Sequence, residues 1–568
     1  MTKFLPRLFF FLCFLSLGRS GFSQQAFQHF YGGINQEISL VAFPCPGGGI
    51  YYLGATTSTG SGSADPVIMK LDDDGEVIWA HAIGGVNYDV AGAMTLSSDS
   101  GLVYAGSTKS YNGNTLDDLY FFKTDSMGSM QWSKTFSTAD LDVASAIIRT
   151  SDNGYAITGY TRETGLKRVL LIRTDSNGDT LFTRTYGGNG DDQGVEMLQT
   201  SDGGFVIIGK TFTQTLGESD ILMMRTDSQG NLLWTKSYGE SLWDEGAGII
   251  KLQDGNYLIS GSTISFGQGD FDILLMKTDT SGSIIWGKTY GGAKTDAGYT
   301  ARENNDGSIV VSGYSNSLGY GHNMRLARQE SATKKIHAND FSLRKSISDI
   351  QSNDRGDDST NIFLMKVDAA GDTLWTRTYG DGAQDEAFHF SKMDDGGYLM
   401  PGFTTSYTNT TDSTQMMLIR TDSSGYSGCH EQNAHPLIDT TNFITQTLAF
   451  TQTQGISENI VVSNSLVWNL NAEDACLYIQ VSDNNEEEIE VYPIPASSKL
   501  VVDSRQYTIS AISINNLLGE MVLAVSLPND SYREPIDLDV SQLPSGIYFL
   551  KLTTSTSEII KKIIIQKN

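Results

Sequence analysis

The chain has 568 residues, 59 of them Gly, and Asp plus Glu (66) outnumber Lys plus Arg (39) for a net charge of −27. That length is too great for one hydrophobic core, so a repeat array or several domains are expected. The acidity argues against nucleic acid as a partner, because binding a phosphate backbone needs clustered basic charge.

Lys3 and Arg7, the apolar stretch Leu8 to Leu17 and the exit Gly21-Phe22-Ser23 read as a secretory signal over residues 1–23. No later apolar run reaches the ~18 residues needed to cross a bilayer, so no transmembrane anchor is expected.

A phrase then recurs: Thr226-Asp227, Gly230, Trp234, Tyr238-Gly239 and, six residues after the Tyr, Asp244. The Trp position falls at Trp79, Trp132, Phe182, Trp234 and Trp286, in steps of 53, 50, 52 and 52. Such a period marks units that bury a core only by stacking on one another. In the third unit, strands over 143–149, 155–161, 169–174 and 179–186 alternate with turns at Asn153-Gly154 and Asp175 to Gly178, which is the four-stranded pattern of a propeller blade.

Third strands end before Asp72, Asp125, Asp175, Asp227, Asp279, Asp368 and Asp422, which makes seven. The last runs into Tyr426-Ser-Gly-Cys429 in place of a Trp strand. An orphan fourth strand, Phe27 to Tyr31, lies at the other end, 52 residues before Trp79. Pairing the two removes exposed sheet edges. The expectation is therefore an all-β fold: a seven-bladed propeller over 24–428, closed by the N-terminal strand. An open β-solenoid is the competing fold. Blade six carries an insertion, 322–358, that holds Arg325, Arg328 and Arg344 in an otherwise acidic protein.

Residues 429–488 read as a strand-rich connector and acidic linker, the charged run that starts at Asp483 continuing to Glu490. Cys13 leaves with the signal, so Cys45, Cys429 and Cys476 remain. A disulfide between Cys429 and Cys476 is expected, with Cys45 as an alternative partner of either. The loop would span 476 − 429 = 47 residues, worth about 4 kcal/mol in the chain-entropy account.

A unit of alternating strands without Trp follows over 489–568. It contains the phrases Tyr492-Pro493-Ile494-Pro495, Leu517-Leu518-Gly519-Glu520 and Leu543-Pro544-Ser-Gly546-Ile547-Tyr548. With those three ordered motifs it resembles the type A C-terminal sorting domain of type IX secretion cargo of Bacteroidota. Ile494 stands where that family usually has Asn. The resemblance implies a small β-sandwich over 489–568 recognised by the type IX translocon and its processing machinery, with Tyr492, Pro493, Pro495, Gly519, Pro544, Gly546 and Tyr548 as the sorting motif. It also implies passage through periplasm and outer membrane to the cell surface or beyond.

The recurring acidic residue is present in every blade: Glu37, Asp89, Asp142, Asp192, Asp244, Asp296 and Asp385. One reading is a carboxylate ring holding a cation in the channel. The other is that each carboxylate accepts N–H groups of its own turn. The second is favoured, so no metal and no cofactor is expected. The Asp-x-x-Gly hairpins lack the ligand count of a calcium loop and read as turn chemistry. No Gly-x-Ser-x-Gly or His-Glu-x-x-His motif is present, and no catalytic residue is assigned. The function expected is a non-enzymatic surface or secreted binding or structural module with a protein or glycan ligand. The alternative is a glycan-cleaving hydrolase or lyase, for which Glu245 and Glu386, acidic in only some blades, are the first candidates. The acidic positions and the insertion are expected on one face.

Overall fold

The computed structural model describes residues 26–33, 35–111, 116–138, 140–215, 217–318, 360–406, 414–441, 443–454, 457–461, 464–467, 473–474, 490–492, 497–503, 509–515, 521–526, 536–544, 546–554 and 558–565. The signal 1–23, the insertion 322–358, Cys476, Pro493, Pro495 and Gly519 lie outside them. The chain divides into two compact units, 1–476 and 477–568.

The first unit is a ring of seven antiparallel sheets. Blade five shows the plan: Asp244–Lys251 is innermost, then Tyr257–Thr263, Asp272–Thr278 and Ile284–Gly291. Closure is as the orphan strand requires. Phe27–Tyr31 joins the last blade beside Gln415–Thr421, with Phe27 opposite Arg420 and Tyr31 opposite Met416.

The Trp-hairpin phrase is the glue between blades. Each hairpin Asp folds its own turn; Asp227 Oδ1, for example, accepts the N–H groups of Gln229 and Asn231 at 2.9 and 2.8 Å. The turn ends in a glycine with positive φ, +76° at Gly282, a region open to Gly without steric cost. The preceding blade's Trp234 lies so close over Gly282 that an added Cβ would sit 3.1 Å from its ring, and Tyr238 of that blade donates its hydroxyl to the Gly282 carbonyl at 2.6 Å. Tyr31, Tyr186, Tyr290 and Tyr379 do the same to Gly75, Gly230, Gly371 and Gly425. Phe136 has no hydroxyl, and there Lys134 Nζ reaches the Gly178 carbonyl instead, at 2.8 Å. The phrase thus recurs because each blade's Trp position and Tyr meet the hairpin of the next blade.

Where a strand-rich connector is expected, the chain encircles the ring. Glu431–Asn433 adds a fifth strand to blade six, Leu437–Thr440 to blade five, Ile444–Thr447 to blade four and Thr451–Gln454 to blade three. Ser457–Val461, Asn464–Val467 and Glu473–Asp474 then pair with blades two, one and seven. This belt visits the blades in reverse order, about seven residues apiece, and caps part of every outer edge. Between its strands Ala434, Phe443 and the pair Leu448 and Phe450 pack into three of the interblade cores, beside Trp286, Trp234 and Phe182 respectively. Cys429, where the belt begins, is disulfide-bonded, whereas Cys45 is a free, buried thiol. Cys45 is therefore excluded as its partner.

The second unit holds a three-stranded sheet (Glu490–Tyr492, Lys499–Asp503, Ile536–Asp539) and a four-stranded one (Ile509–Asn515, Met521–Ser526, Gly546–Thr554, Glu558–Ile565). Leu500, Val502, Leu538, Ile512, Ile514, Leu550 and Ile563 from the two sheets share one core, as a sandwich requires. Of the sorting motif, Tyr548 donates its hydroxyl to the Pro544 carbonyl at 3.0 Å, and Gly546 opens the strand that carries Tyr548. No helix among the described residues is long and apolar enough to cross a membrane.

Candidate functional site in the central channel

The seven repeated carboxylates are fully buried. Each is the centre of a clasp within the ring's own framework. Asp244 accepts the Glu240 N–H at 3.0 Å, the Thr263 hydroxyl at 2.5 Å and the Ser265 hydroxyl at 2.7 Å. Asp89 accepts from Gly85, Thr108 and Ser110, Asp192 from Gly188, Thr211 and Thr213, and Asp385 from Asp381, Thr404 and Ser406. Glu37 accepts from Gly33, Thr56 and Ser58, and Asp296 from Gly292 and Ser315. Blade three has Glu163 at the sequence position of the second hydroxyl, and Asp142 accepts from Thr161 and from both the N–H and the hydroxyl of Thr138. Burial pushes the carboxyls of Asp192, Asp296 and Asp385 up to about 6 against these bonds. Among the described residues no group of three or more His, Cys, Asp or Glu side chains could hold a metal ion.

Beside several clasps sits a second carboxyl from the preceding blade's third strand. A Cβ at Gly291 would lie 1.7 Å from Oδ1 of Asp272 and 2.9 Å from Oδ2 of Asp296, so only Gly leaves room for both. Burial, with Asp296 and Asp439 adding like charge, pushes Asp272 up to about 8.

Past the clasp the innermost strand bulges in six blades, between Gly246 and Gly248 in blade five and at matching positions in blades one to four and six, while blade seven breaks between Asp385–Ala387 and Ser391–Lys392. A bulge re-aims the following side chains. Here it requires glycine on the adjacent strand, since a Cβ at Gly261 would meet the Glu245 carbonyl at 2.1 Å. All seven blades have this glycine, 261 − 244 = 17 residues after the clasp.

Two sets of non-repeated polar side chains result. Near the clasps, Lys210 and Glu245 form an ion pair at 3.8 Å, each no more than 3% exposed, with Trp243 Nε1 donating to Glu245 at 3.4 Å. Glu386 is equally buried. Below the bulges a cavity of about 690 Å³ is lined by residues from all seven innermost strands. Six of its positions just past the bulge or its blade-seven equivalent are Val41, Ala93, Ala146, Glu196, Gly248 and Thr300; the seventh is His389. Arg302 stands two residues further on, where Ile148 and Ile250 occupy other blades. Its Nη1 donates to the Ala301 carbonyl at 2.8 Å, its Nη2 lies 3.2 Å from His389 Nε2, and the guanidinium rests 5.8 Å from the Phe390 ring centre. These channel residues carry no repeat signal, and their departure from the repeat was the clue available in the sequence.

Residues 490–566 match the family described as secretion system C-terminal sorting domain. The protein is thus a type IX secretion cargo, exported to the cell surface or extracellular space. No curated protein matches the chain. Among solved structures, the crystal structure of Sqt1 from Chaetomium thermophilum is similar over 70% of this chain and 99% of its own, at 11% identity and a TM-score of 0.32. At that score the likeness carries no argument.

Proposed function

We propose that this exported propeller is a non-enzymatic surface or secreted binding module, carried across the outer membrane by its sorting domain. The observation that supports the reading is the use of the carboxylates. Those repeated in every blade are consumed by backbone and hydroxyl groups of the framework, and Glu245 and Glu386, which a glycan-cleaving site would need within reach of substrate, are no more than 2% exposed. Groups that depart from the repeat and line open space are instead those of the lower channel. The full mature chain, belt included, should capture a protein or glycan in a pull-down and glycan-array survey and leave polysaccharides intact. Release of reducing ends or unsaturated products from any polysaccharide would replace this reading with the enzymatic one.

A further inference from the structure

Arg302 is the anomaly of the channel. A cation placed where blades three, four and five have Ile148, Leu198 and Ile250 loses solvation, and such groups are ordinarily recompensed by a carboxylate. Here the guanidinium donates to one carbonyl and one imidazole, and no carboxylate oxygen lies within ion-pair distance of it among the described residues. Glu196 draws on it only from further away, and burial lowers its proton affinity. Since an arginine can only donate, the Arg302 contact makes His389 Nε2 the acceptor and leaves the proton on Nδ1. The remaining guanidinium N–H groups are thus available to the cavity that Arg302 lines, with Thr300 and Ser391 on its side and Glu196 on blade four.

We infer that the lower channel mouth binds a small organic carboxylate, held by Arg302, whose other end offers a hydroxyl or ammonium group to Glu196. Planar N–H groups suit a carboxylate in a bidentate pair. The carboxylate of Glu196 can only accept, so it selects a donor. Val41, Ile148 and Ile250, on blades one, three and five, give the wall aliphatic surface for a compact carbon skeleton, and about 690 Å³ leaves ample room for a sugar acid or amino acid. This inference rests on the binding-module reading and gives it a ligand class.

Calorimetric titration of the full mature chain tests it with glucuronate, glutamate, glucose and acetate as probes. Glucuronate or glutamate should bind, glucose should not, and acetate should bind more weakly than either. Arg302→Gln should weaken the binding at least tenfold, and Glu196→Gln should weaken glucuronate or glutamate while leaving acetate unchanged. Which of the two larger probes binds more tightly distinguishes a sugar acid from an amino acid. Failure of all three carboxylates to bind, or wild-type affinity in a folded Arg302→Gln protein, overturns the inference. Macromolecular capture that survives in Arg302→Gln would show that the binding-module reading stands without this pocket.

Discussion

The belt invites the sharpest test. Its strands are two to five residues long and pair along one edge only. Ordering a residue costs about 1–2 kcal/mol of backbone entropy, while a net hydrogen bond returns about 0.5–1.5 kcal/mol. The ladders alone therefore roughly cancel. What remains is the burial of a few side chains, such as Leu448 at about 1.5–3 kcal/mol, and the covalent fastening at Cys429. If the bridge runs to Cys476, as expected, closing its 476 − 429 = 47-residue loop contributes about 4 kcal/mol. Cys429→Ser should then raise the open-belt population by up to about 10³-fold while the N-terminal strand keeps the ring closed. Trypsin is blind here, because no Lys or Arg lies between 429 and 476. Chymotrypsin cutting at Phe443 and Phe450, and amide exchange over 431–474, report it directly. Unchanged cutting and exchange in Cys429→Ser, or a non-reducing peptide map that joins Cys429 to another cysteine, would refute the account.

Other consequences follow from the clasps. Asp244→Ala orphans an N–H and two hydroxyls in a buried site and should cost about 2–4 kcal/mol in a urea titration, with calcium giving no rescue. Gly261→Ala drives a Cβ into the Glu245 carbonyl and should cost at least about 1–3 kcal/mol, whereas Gly255→Ala, in open space, suffers only from its φ of +88°. For Asp272, the folded-state value of about 8 exceeds the ordinary one, so the folded chain holds the proton more tightly. Its unfavourable effect is absent below the unfolded value near pH 4 and grows as the pH rises through about 8. Asp272→Asn should therefore narrow the loss of thermal stability between pH 5 and pH 8.5, and an equal loss in both proteins would contradict that assignment.

Much of the ring was legible because local chemistry repeats. Asp-x-x-Gly hairpins need their own N–H groups and one positive φ, and a Trp must meet the next hairpin, so those residues return every fifty or so positions. The orphan strand at Phe27 followed from the same count, as did the export tail from its three motifs. The strand-two glycines and the hydroxyls at 263 and 265 were equally periodic, but their reason, a carbonyl of the bulge and a buried carboxylate, exists only across strands.

The belt and the pocket are different in kind. Thr451–Gln454 has no marked pattern of its own, since an edge strand's partner is set by backbone groups that every residue carries. Likewise Glu196, Arg302 and His389 stand on separate blades and share no spacing, and they converge only because the seven innermost strands surround one axis. Sequence alone determined how each blade is built and how many there are, through contacts between near neighbours in the repeat. Only the closed ring decided what encircles it and what its channel presents, because those contacts join residues whose separation along the chain encodes nothing.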